Sequence, residues 1–192
     1  MPLNTFATKT SAIPLSELDA NFTFVSDSTN LSFLQSGTGA VSRTVQAKAR
    51  DIVSVKDFGA VGDGVTDDTT AINAALAANK YVSIPVGTYI VSGNIACTLQ
   101  GQKLIGSGTT ATTISVNTAA NPGITIATGL QNVEIAGFTL TRTVTATSGG
   151  DGIKCNTVSI GQSYIHDLLI EKQYRGLSLG PTDFSDVKNV IV

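Results

Sequence analysis

The sequence has no tryptophan, two cysteines and one histidine in 192 residues, and only 14% of its residues are charged. The net charge is −2 and basic residues form no run, so nothing favours binding to nucleic acid or to an anionic membrane surface. No apolar run approaches the length of a membrane span, and membrane insertion is not expected. The first residues, MPLNTFATKTSAIPL, lack the basic and apolar regions of a secretory signal, which predicts a chain made in a reducing cytoplasm.

The sequence also lacks the common cofactor and metal motifs. Cys97 and Cys155 are too far apart to form a metal-binding pair, and we expect two buried, reduced thiols. The stretch GAVGDG does not have the glycine spacing of a dinucleotide loop. Asp63, Asp67 and Asp68 do not have the spacing of a calcium loop. We therefore predict no cofactor and no bound metal.

From Tyr81 onward the chain consists of short strands with alternating apolar residues, such as YVSIP, GTYIVSG, TTISV and NVEIAGFTL. Turns rich in Gly, Asn, Thr and Asp separate them, which is typical of a mainly β protein. A glycine followed by an apolar residue recurs at Gly123, Gly152 and Gly176. A second series, an Asn or Asp before an apolar strand, recurs at Asn132, Asp167 and Asn189. Recurrence of this kind favours a β-solenoid over a sandwich.

The stretch VKDFGAVGDGVTDDTTAINAALAANK, residues 55–80, combines four aspartates and three glycines with a helical pattern. Asp67 or Asp68 is predicted to cap a helix over residues 67–79, and Ile72, Ala75 and Leu76 form its single apolar stripe. Such a helix can cover the open first coil of a solenoid. We therefore interpret this stretch as a structural cap and not as a cluster of catalytic carboxylates; its proposed residues are Asp57, Gly59, Gly62, Asp63, Gly64, Asp67, Asp68, Ile72 and Leu76.

Residues 1–50 carry too little apolar surface to form a core of their own. Leu15, Leu18 and Phe22 form one short stripe. STNLSFLQ predicts a strand, a Gly-Thr-Gly turn follows, and Val41, Val45 and Ala49 form a second stripe on a short helical run. We expect both stripes to contact other chains.

The motifs DFGA, GDG and DDT, followed by VSIPVGTYIVSG and LIGSGTTATTISV, resemble the pectate-lyase-like right-handed parallel β-helices, particularly those of bacteriophage tailspikes and tail fibres. The resemblance covers residues 51–192, and residues 1–50 resemble the virion-binding leader that precedes such helices. It implies a homotrimer in the virion, attached through residues 1–50 to a tail, neck or baseplate protein, with receptor binding to a host surface polysaccharide through the wider spike. The expected domains are thus a virion-anchoring leader and neck, residues 1–50, and the capped first coils of the helix, residues 51–192.

Two alternatives are enzymatic. The first is a polysaccharide depolymerase, a lyase or a hydrolase, with its active site inside residues 81–192. Glycosidases need two carboxylates near the bond, but the sequence pairs no two of the available acids, which are Glu134, Asp151, Asp167, Glu171, Asp183 and Asp186. His166 is more typical of a surface residue than of a general base. The second is a secreted pectinase-like enzyme, which the missing signal disfavours. Because FSDVKNVIV ends in mid-strand, we also expect the chain to continue beyond residue 192.

Overall fold

The computed structural model describes residues 31–155, 163–179 and 186–192, and the chain divides into two units between Asp51 and Ile52. Leu15, Leu18 and Phe22 lie outside the described residues. Among the described residues, no helix has the length and apolar character needed to cross a bilayer.

The first unit contains a small hairpin and one helical turn. β1 (Ser32–Phe33) pairs antiparallel with β2 (Arg43–Thr44), and α1 (Val45–Ala49) follows. The Thr44 hydroxyl accepts a hydrogen bond from the amide of Ala47 at 3.0 Å and caps α1. The predicted strand is confirmed, but the predicted helical run from Val41 is wrong. Pairing with β1 keeps residues 43–44 extended, so the helix begins only at Val45.

The second unit is a stack of parallel coils whose strands align in three columns. Its first column contains β3 (Val53–Ser54), β5 (Tyr81–Ile84), β8 (Lys103–Gly106) and the first halves of β11 (Glu134–Arg142), β13 (Tyr164–Ile170) and β15 (Asp186–Ile191). The second column contains β4 (Asp63–Asp67), β6 (Gly87–Val91), β9 (Thr112–Val116) and the second halves of those three long strands. The third contains β7 (Ile95–Cys97), β10 (Ile124–Ile126), β12 (Ile153–Cys155) and β14 (Leu177–Ser178).

The first two columns belong to one curled sheet because β11 pairs with β8 through its first half and with β9 through its second. Gly137 lies at the bend between the halves, with φ of 79°. A Cβ atom there would lie 2.7 Å from the carbonyl oxygen of Gly106 in the coil below. Glycine is therefore required both by the left-handed backbone and by the close approach of the two coils.

The core lies inside the coils, where equivalent inward residues stack in register. This is the arrangement expected when apolar residues alternate along every strand. Each column contributes an almost fully buried apolar ladder: Val82, Leu104, Ile135 and Ile165; Tyr89, Ile114, Leu140 and Ile170; Ile95, Ile124 and Ile153. Cys97 and Cys155 are buried free thiols of the third column, as predicted. Burial raises their pKa values, to about 12 and about 11.

The register confirms one of the two predicted repeats. Ile124, Ile153 and Leu177 pair in register, so the glycines that precede them stack. In the other series Asp167 and Asn189 stack, both with positive φ, but Asn132 does not belong with them. The position of β11 that aligns with Asp167 is Gly137, because Ala136 pairs with His166 and Phe138 with Leu168.

A short 3₁₀ helix (Val55–Phe58) and a longer helix, α2 (Thr69–Ala78), complete the second unit. The predicted helix and its stripe are confirmed, since Ile72, Ala75 and Leu76 are fully buried in the common core. The aspartate-rich stretch, which runs from the 3₁₀ helix through β4 to α2, therefore lies in the first coil. The next strands, β5 and β6, pair with β3 and β4 and extend the stack.

Candidate functional site

Asp68 occupies the N-cap position of α2, but its side chain does not cap the helix. Its two carboxylate oxygens accept hydrogen bonds from the backbone amides of Val61, at 2.7 Å, and Gly62, at 3.1 Å. The residue is only 1% exposed. Asp68 therefore fixes the turn before β4. Of the two predicted capping residues, Asp68 holds the N-cap position without a side-chain cap bond, and Asp67 accepts from the first helical amide, that of Thr69.

Asp67 binds the start of α2 to the end of β6. One carboxylate oxygen accepts from the backbone amide of Thr69, at 3.0 Å, and from its hydroxyl, at 2.5 Å. The other accepts from the hydroxyl of Ser92. Hydrogen bonds from Ser92 and then Thr69 lower the pKa of Asp67 to about 2. The carboxylate is thus ionised at neutral pH and engaged by donors from two segments.

Asp63 and Asp57 also bind backbone amides. Asp63 accepts from the amides of Thr66 and Val65, at 2.8 and 2.9 Å, and these bonds lower its pKa. Asp57 accepts from the amide of Ser54 at 2.9 Å in a capping box with the 3₁₀ helix. All four aspartates therefore stabilise local backbone. In the part of the chain that the structure describes, no three His, Cys, Asp or Glu residues group as metal ligands.

The three glycines of this stretch, Gly59, Gly62 and Gly64, all have φ between 71° and 95°. Gly62 is the most constrained, because a Cβ atom there would lie 2.7 Å from the ring of Tyr89. Tyr89 is fully buried, and its hydroxyl donates to the carbonyl of Pro85 at 3.0 Å. The turn that Asp68 holds therefore packs directly on a core aromatic of the first complete coil.

Two side-chain amides attach α2 to the coils beneath it. The oxygen of Asn73 accepts from the amide of Ala96, and its nitrogen donates to the carbonyl of Asn94, both at 2.9 Å. Gln102, fully buried, donates to the carbonyls of Leu76 and Asn79 at 2.6 and 3.1 Å. The sequence interpretation missed both residues, because an amide at a non-apolar position of a helix or turn carries no periodic signal.

The predicted contact residues of the first unit, Val41 and Val45, are 76% and 38% exposed. Leu31 and Leu34 are exposed as well. An ion pair between Arg43 and Asp51, at 2.7 Å, joins β2 to the residues that follow α1. Hydrogen bonding to Arg43 lowers the pKa of Asp51 to about 2.

One group of acids does meet, on the outer surface of the first column. His166 contacts Asp167 through Nδ1 at 2.8 Å and Glu134 through Nε2 at 3.3 Å. Lys103 pairs with the second oxygen of Glu134, and Asn189 donates to Asp167 at 2.9 Å. Lys103 chiefly lowers the pKa of Glu134, His166 lowers that of Asp167, and Asp167 raises that of His166. These contacts link four successive coils.

A second polar group surrounds Arg142 at the end of β11. The residue is 1% exposed, and its guanidinium donates to the side-chain oxygen of Gln173 at 2.9 Å and to the carbonyls of Thr118, Asn121 and Asp151. Burial lowers its pKa. The buried carboxylate of Asp151 instead forms two hydrogen bonds with Arg175, at 2.8 and 2.9 Å.

The other acids of the coils are not part of either group: Glu171 is exposed, Asp183 lies outside the described residues, and Asp186 is described only through its backbone.

Comparisons with known proteins agree with this architecture. A family model described as rhamnogalacturonase A/epimerase, pectate lyase-like, matches residues 52–129. The tail spike protein of an Escherichia phage is 48% identical over 54 residues, 28% of this chain and 7% of that protein. The crystal structure of tailspike protein 3 of bacteriophage CBA120 matches 86% of this chain and 29% of its own, with a TM-score of 0.69 and 18% identity. These matches support a phage tailspike with a pectate-lyase-like β-helix.

Other relatives include a phage appendage protein and an epimerase. The pre-neck appendage protein of Bacillus phage phi29 is 35% identical over 94 residues, 46% of this chain and 11% of that protein. Mannuronan C5-epimerase AlgE5 of Azotobacter vinelandii is 56% identical over 45 residues, 21% of this chain and 4% of that protein. The chain thus spans about a tenth or less of the length of these curated relatives.

Proposed function

We propose that this phage tail protein is a homotrimeric tailspike component. Its residues 1–50 attach it to a tail, neck or baseplate protein of the virion, and its β-helix begins the body that recognises a surface polysaccharide of the host. The tail proteins of an Escherichia phage and of Bacillus phage phi29 among its relatives support the virion location. In the host cell the chain is made in the cytoplasm and joins the particle during assembly.

The observation that carries the proposal is the exposure of residues 31–51. None of their side chains is buried, although the segment contains four exposed large apolar residues: Leu31, Leu34, Val41 and Val45. Ordering a segment costs about 1–2 kcal/mol per residue in backbone entropy, which a segment without buried side chains does not recover alone. Contacts with other chains would supply the missing burial.

A three-fold axis offers the simplest arrangement of these contacts. Closed symmetric assembly brings the same surface of each copy to the axis, so Val41 and Val45 of three chains would pack together. The stripe of Leu15, Leu18 and Phe22 would then serve as the amphipathic anchor on the particle. The assignment of Val41 and Val45 to trimer contacts, and of Leu15, Leu18 and Phe22 to virion contacts, is part of the proposal.

The experiment combines Val41→Asp with Val45→Asp in one variant. Sedimentation equilibrium of the purified protein should show a trimer for the unchanged chain and a monomer for the variant, with the β-rich circular dichroism spectrum retained. The matched control is Val65→Asp, since Val65 is 83% exposed on β4 in the second unit. A monomeric unchanged chain, or a variant that remains trimeric, contradicts the proposed assembly.

The alternative function is polysaccharide cleavage inside residues 81–192, which the meeting of Glu134, His166 and Asp167 favours. Two features weigh against it. A general acid needs a raised pKa, whereas the pKa values of both carboxylates are lowered. Each carboxylate is also held by a second partner, Lys103 or Asn189. We therefore propose that this group stabilises the stack of coils.

A further inference from the structure

The stack of coils begins with a strand edge in each of its three columns. Among residues 31–155, 163–179 and 186–192, the first strand of each column pairs with one strand only: β3 with β5, β4 with β6 and β7 with β10. An edge of this kind presents backbone groups to which another chain can add a strand. The helix α2 buries apolar side chains of the first coil, but burial of a core does not occupy the backbone of an edge.

In the first two columns, carboxylates occupy amides of the first strand. Asp57 accepts a hydrogen bond from the amide of Ser54 in β3, at 2.9 Å. One oxygen of Asp63 accepts from the amides of Val65 and Thr66 in β4, at 2.9 and 2.8 Å, and the other accepts from the Thr66 hydroxyl. A backbone amide has a single hydrogen to donate, so these three amides are not available to a strand of another chain.

The strand β4 also departs from the regular ladder. Asp63 pairs with Thr88 of β6 and Asp67 pairs with Ile90, so β4 bulges between these two pairs. A bulge twists an edge strand and interrupts the hydrogen-bonding pattern that a neighbouring strand needs. The bulged segment is the one whose amides the Asp63 carboxylate holds.

In the third column, a side-chain amide occupies the edge. Asn73 of α2 accepts from the amide of Ala96 and donates to the carbonyl of Asn94, both at 2.9 Å. An asparagine side chain has the same donor and acceptor groups as a peptide unit, so it takes the place of a short piece of strand. Three different elements, the 3₁₀ helix, β4 and α2, thus each supply a side chain that binds backbone at the start of one column.

We propose that Asp57, Asp63 and Asn73 together obstruct strand addition by a second copy of this chain at the starting edge of the stack. The matching surface of the second copy is the opposite end of its stack. Among the described residues, β14 pairs with β12 only, and β15 pairs with β13 only. Stacking of these last strands on the first coil of another copy is a head-to-tail contact, which continues along the stack and produces open filaments. The obstructed edge therefore restricts association between copies to other surfaces.

The test is sedimentation velocity of the full chain over a range of concentrations. One variant combines Asp57→Ala, Asp63→Ala and Asn73→Ala. Its average mass should rise several-fold above that of the unchanged chain as the concentration increases, because all three columns lose their obstruction. A triple variant that keeps its β-rich circular dichroism spectrum and the mass of the unchanged chain would overturn the proposal.

The matched variant combines Asp57→Asn with Asp63→Asn and leaves Asn73 in place. It removes the same two negative charges, but it keeps oxygens that accept hydrogen bonds from the edge amides. It should therefore sediment as the unchanged chain does. Filaments of this variant would show that repulsion between charges, and not occupation of the edge, keeps copies apart, which would also overturn the proposal.

A second control separates open edges from lost stability. Gln102 is fully buried and donates to the carbonyls of Leu76 and Asn79, which lie outside β3, β4 and β7. Gln102→Ala leaves buried groups without a partner but does not change the three edges, so it should form no filaments. Filaments of Gln102→Ala like those of the triple variant would mean that destabilisation explains the association.

Hydrogen exchange of Asp63→Ala alone locates the contact and replaces the triple variant if that protein does not fold. The amides of Val65 and Thr66, once released from the carboxylate, should exchange more slowly at high protein concentration than at low concentration. The amide of Ser54, still held by Asp57, should exchange at the same rate at both concentrations. Exchange of the Val65 and Thr66 amides that does not depend on concentration would contradict strand addition at β4. The trimer proposed above forms through Val41 and Val45, so its success or failure is independent of these measurements.

Discussion

The side-chain amide of Asn73 hydrogen-bonds to the backbone amide of Ala96 at 2.9 Å, as a neighbouring strand would. Its nitrogen donates to the carbonyl of Asn94, on the same edge of β7. The third column begins with β7, so this edge has no strand before it. Unpaired strand edges favour wrong pairing between chains. One asparagine of α2 therefore satisfies two backbone groups on this open edge.

We expect Asn73→Ala to lower the free energy of unfolding by about 1–3 kcal/mol, because two partly buried backbone groups lose their partner. Chemical denaturation measures the loss. Thr70→Ala is the control, since Thr70 is exposed on the same helix. An Asn73→Ala protein as stable as the control would show that these two hydrogen bonds contribute little.

Leu76→Asp should destabilise the fold by about 3–5 kcal/mol, the order of magnitude for an unpaired charge in a core. Leu76 is fully buried beneath α2, whereas the adjacent Ala77 is exposed. Ala77→Asp should therefore leave the melting temperature nearly unchanged. If Leu76→Asp also melts at the original temperature, α2 does not cover the first coil as described.

The stability that Asp67 contributes should depend on acid pH. Its folded pKa, about 2, is below the usual value of about 3.9. A lowered folded pKa adds stability above the unfolded pKa, and this is lost as pH falls through about 4 toward 2. Asp67→Asn should therefore melt at a lower temperature than the unchanged chain at pH 7, and the difference should shrink below about pH 4. A difference that stays constant down to about pH 2.5 would argue against the Asp67 contacts.

The pKa of His166 should exceed its usual 6.5, because Asp167 and Glu134 favour the charged ring. A raised folded pKa adds stability below about pH 6.5, and this is lost as pH rises through the folded pKa. Lys188 pairs with His166 in register on β15 and opposes the shift if its amine approaches the ring. Proton NMR titration of this single histidine measures the value, and Glu134→Gln should lower it. A pKa at or below the usual value would contradict the contacts among these coils.

The protein should release neither reducing ends nor unsaturated products from capsule or lipopolysaccharide of a susceptible host. In the group around His166, the pKa values of Glu134 and Asp167 are lowered and both carboxylates are paired, so neither is suited to protonate a leaving group. Turnover that Glu134→Gln or Asp167→Asn abolishes would favour the depolymerase instead.

Periodic features of this fold could be predicted from the sequence, and features that depend on distant partners could not. The stripe of Ile72, Ala75 and Leu76 indicated the buried face of α2, and the stacked glycines before β10, β12 and β14 were visible as a repeat. Asp68 looked like a helix cap, but its carboxylate binds amides six and seven residues earlier. Whether the Asp68 carboxylate binds the amides of the helix or those of the preceding turn depends on the folded shape of that turn, and the residue type alone does not reveal it.

The polar group around Arg142 was also invisible in the sequence. Arg142 follows an apolar strand in the pattern of an ordinary surface residue, yet it is buried against carbonyls from two other segments. Gln173 reaches the same place only because β11 and β13 are neighbours in the stack. The register between neighbouring coils decides which side chains meet. The loops differ in length, so this register is hard to read from the sequence.

The most direct measurement for the proposed function is the copy number of this protein on purified particles assembled with a chain that lacks residues 1–30. Quantitative immunoblotting of the particles gives that number, and circular dichroism of the purified truncated chain tests its fold. We expect a folded, β-rich protein that is absent from the particles, while the unchanged chain is present at a constant number per particle. Incorporation of the truncated chain at the normal copy number would contradict the anchoring role of the leader.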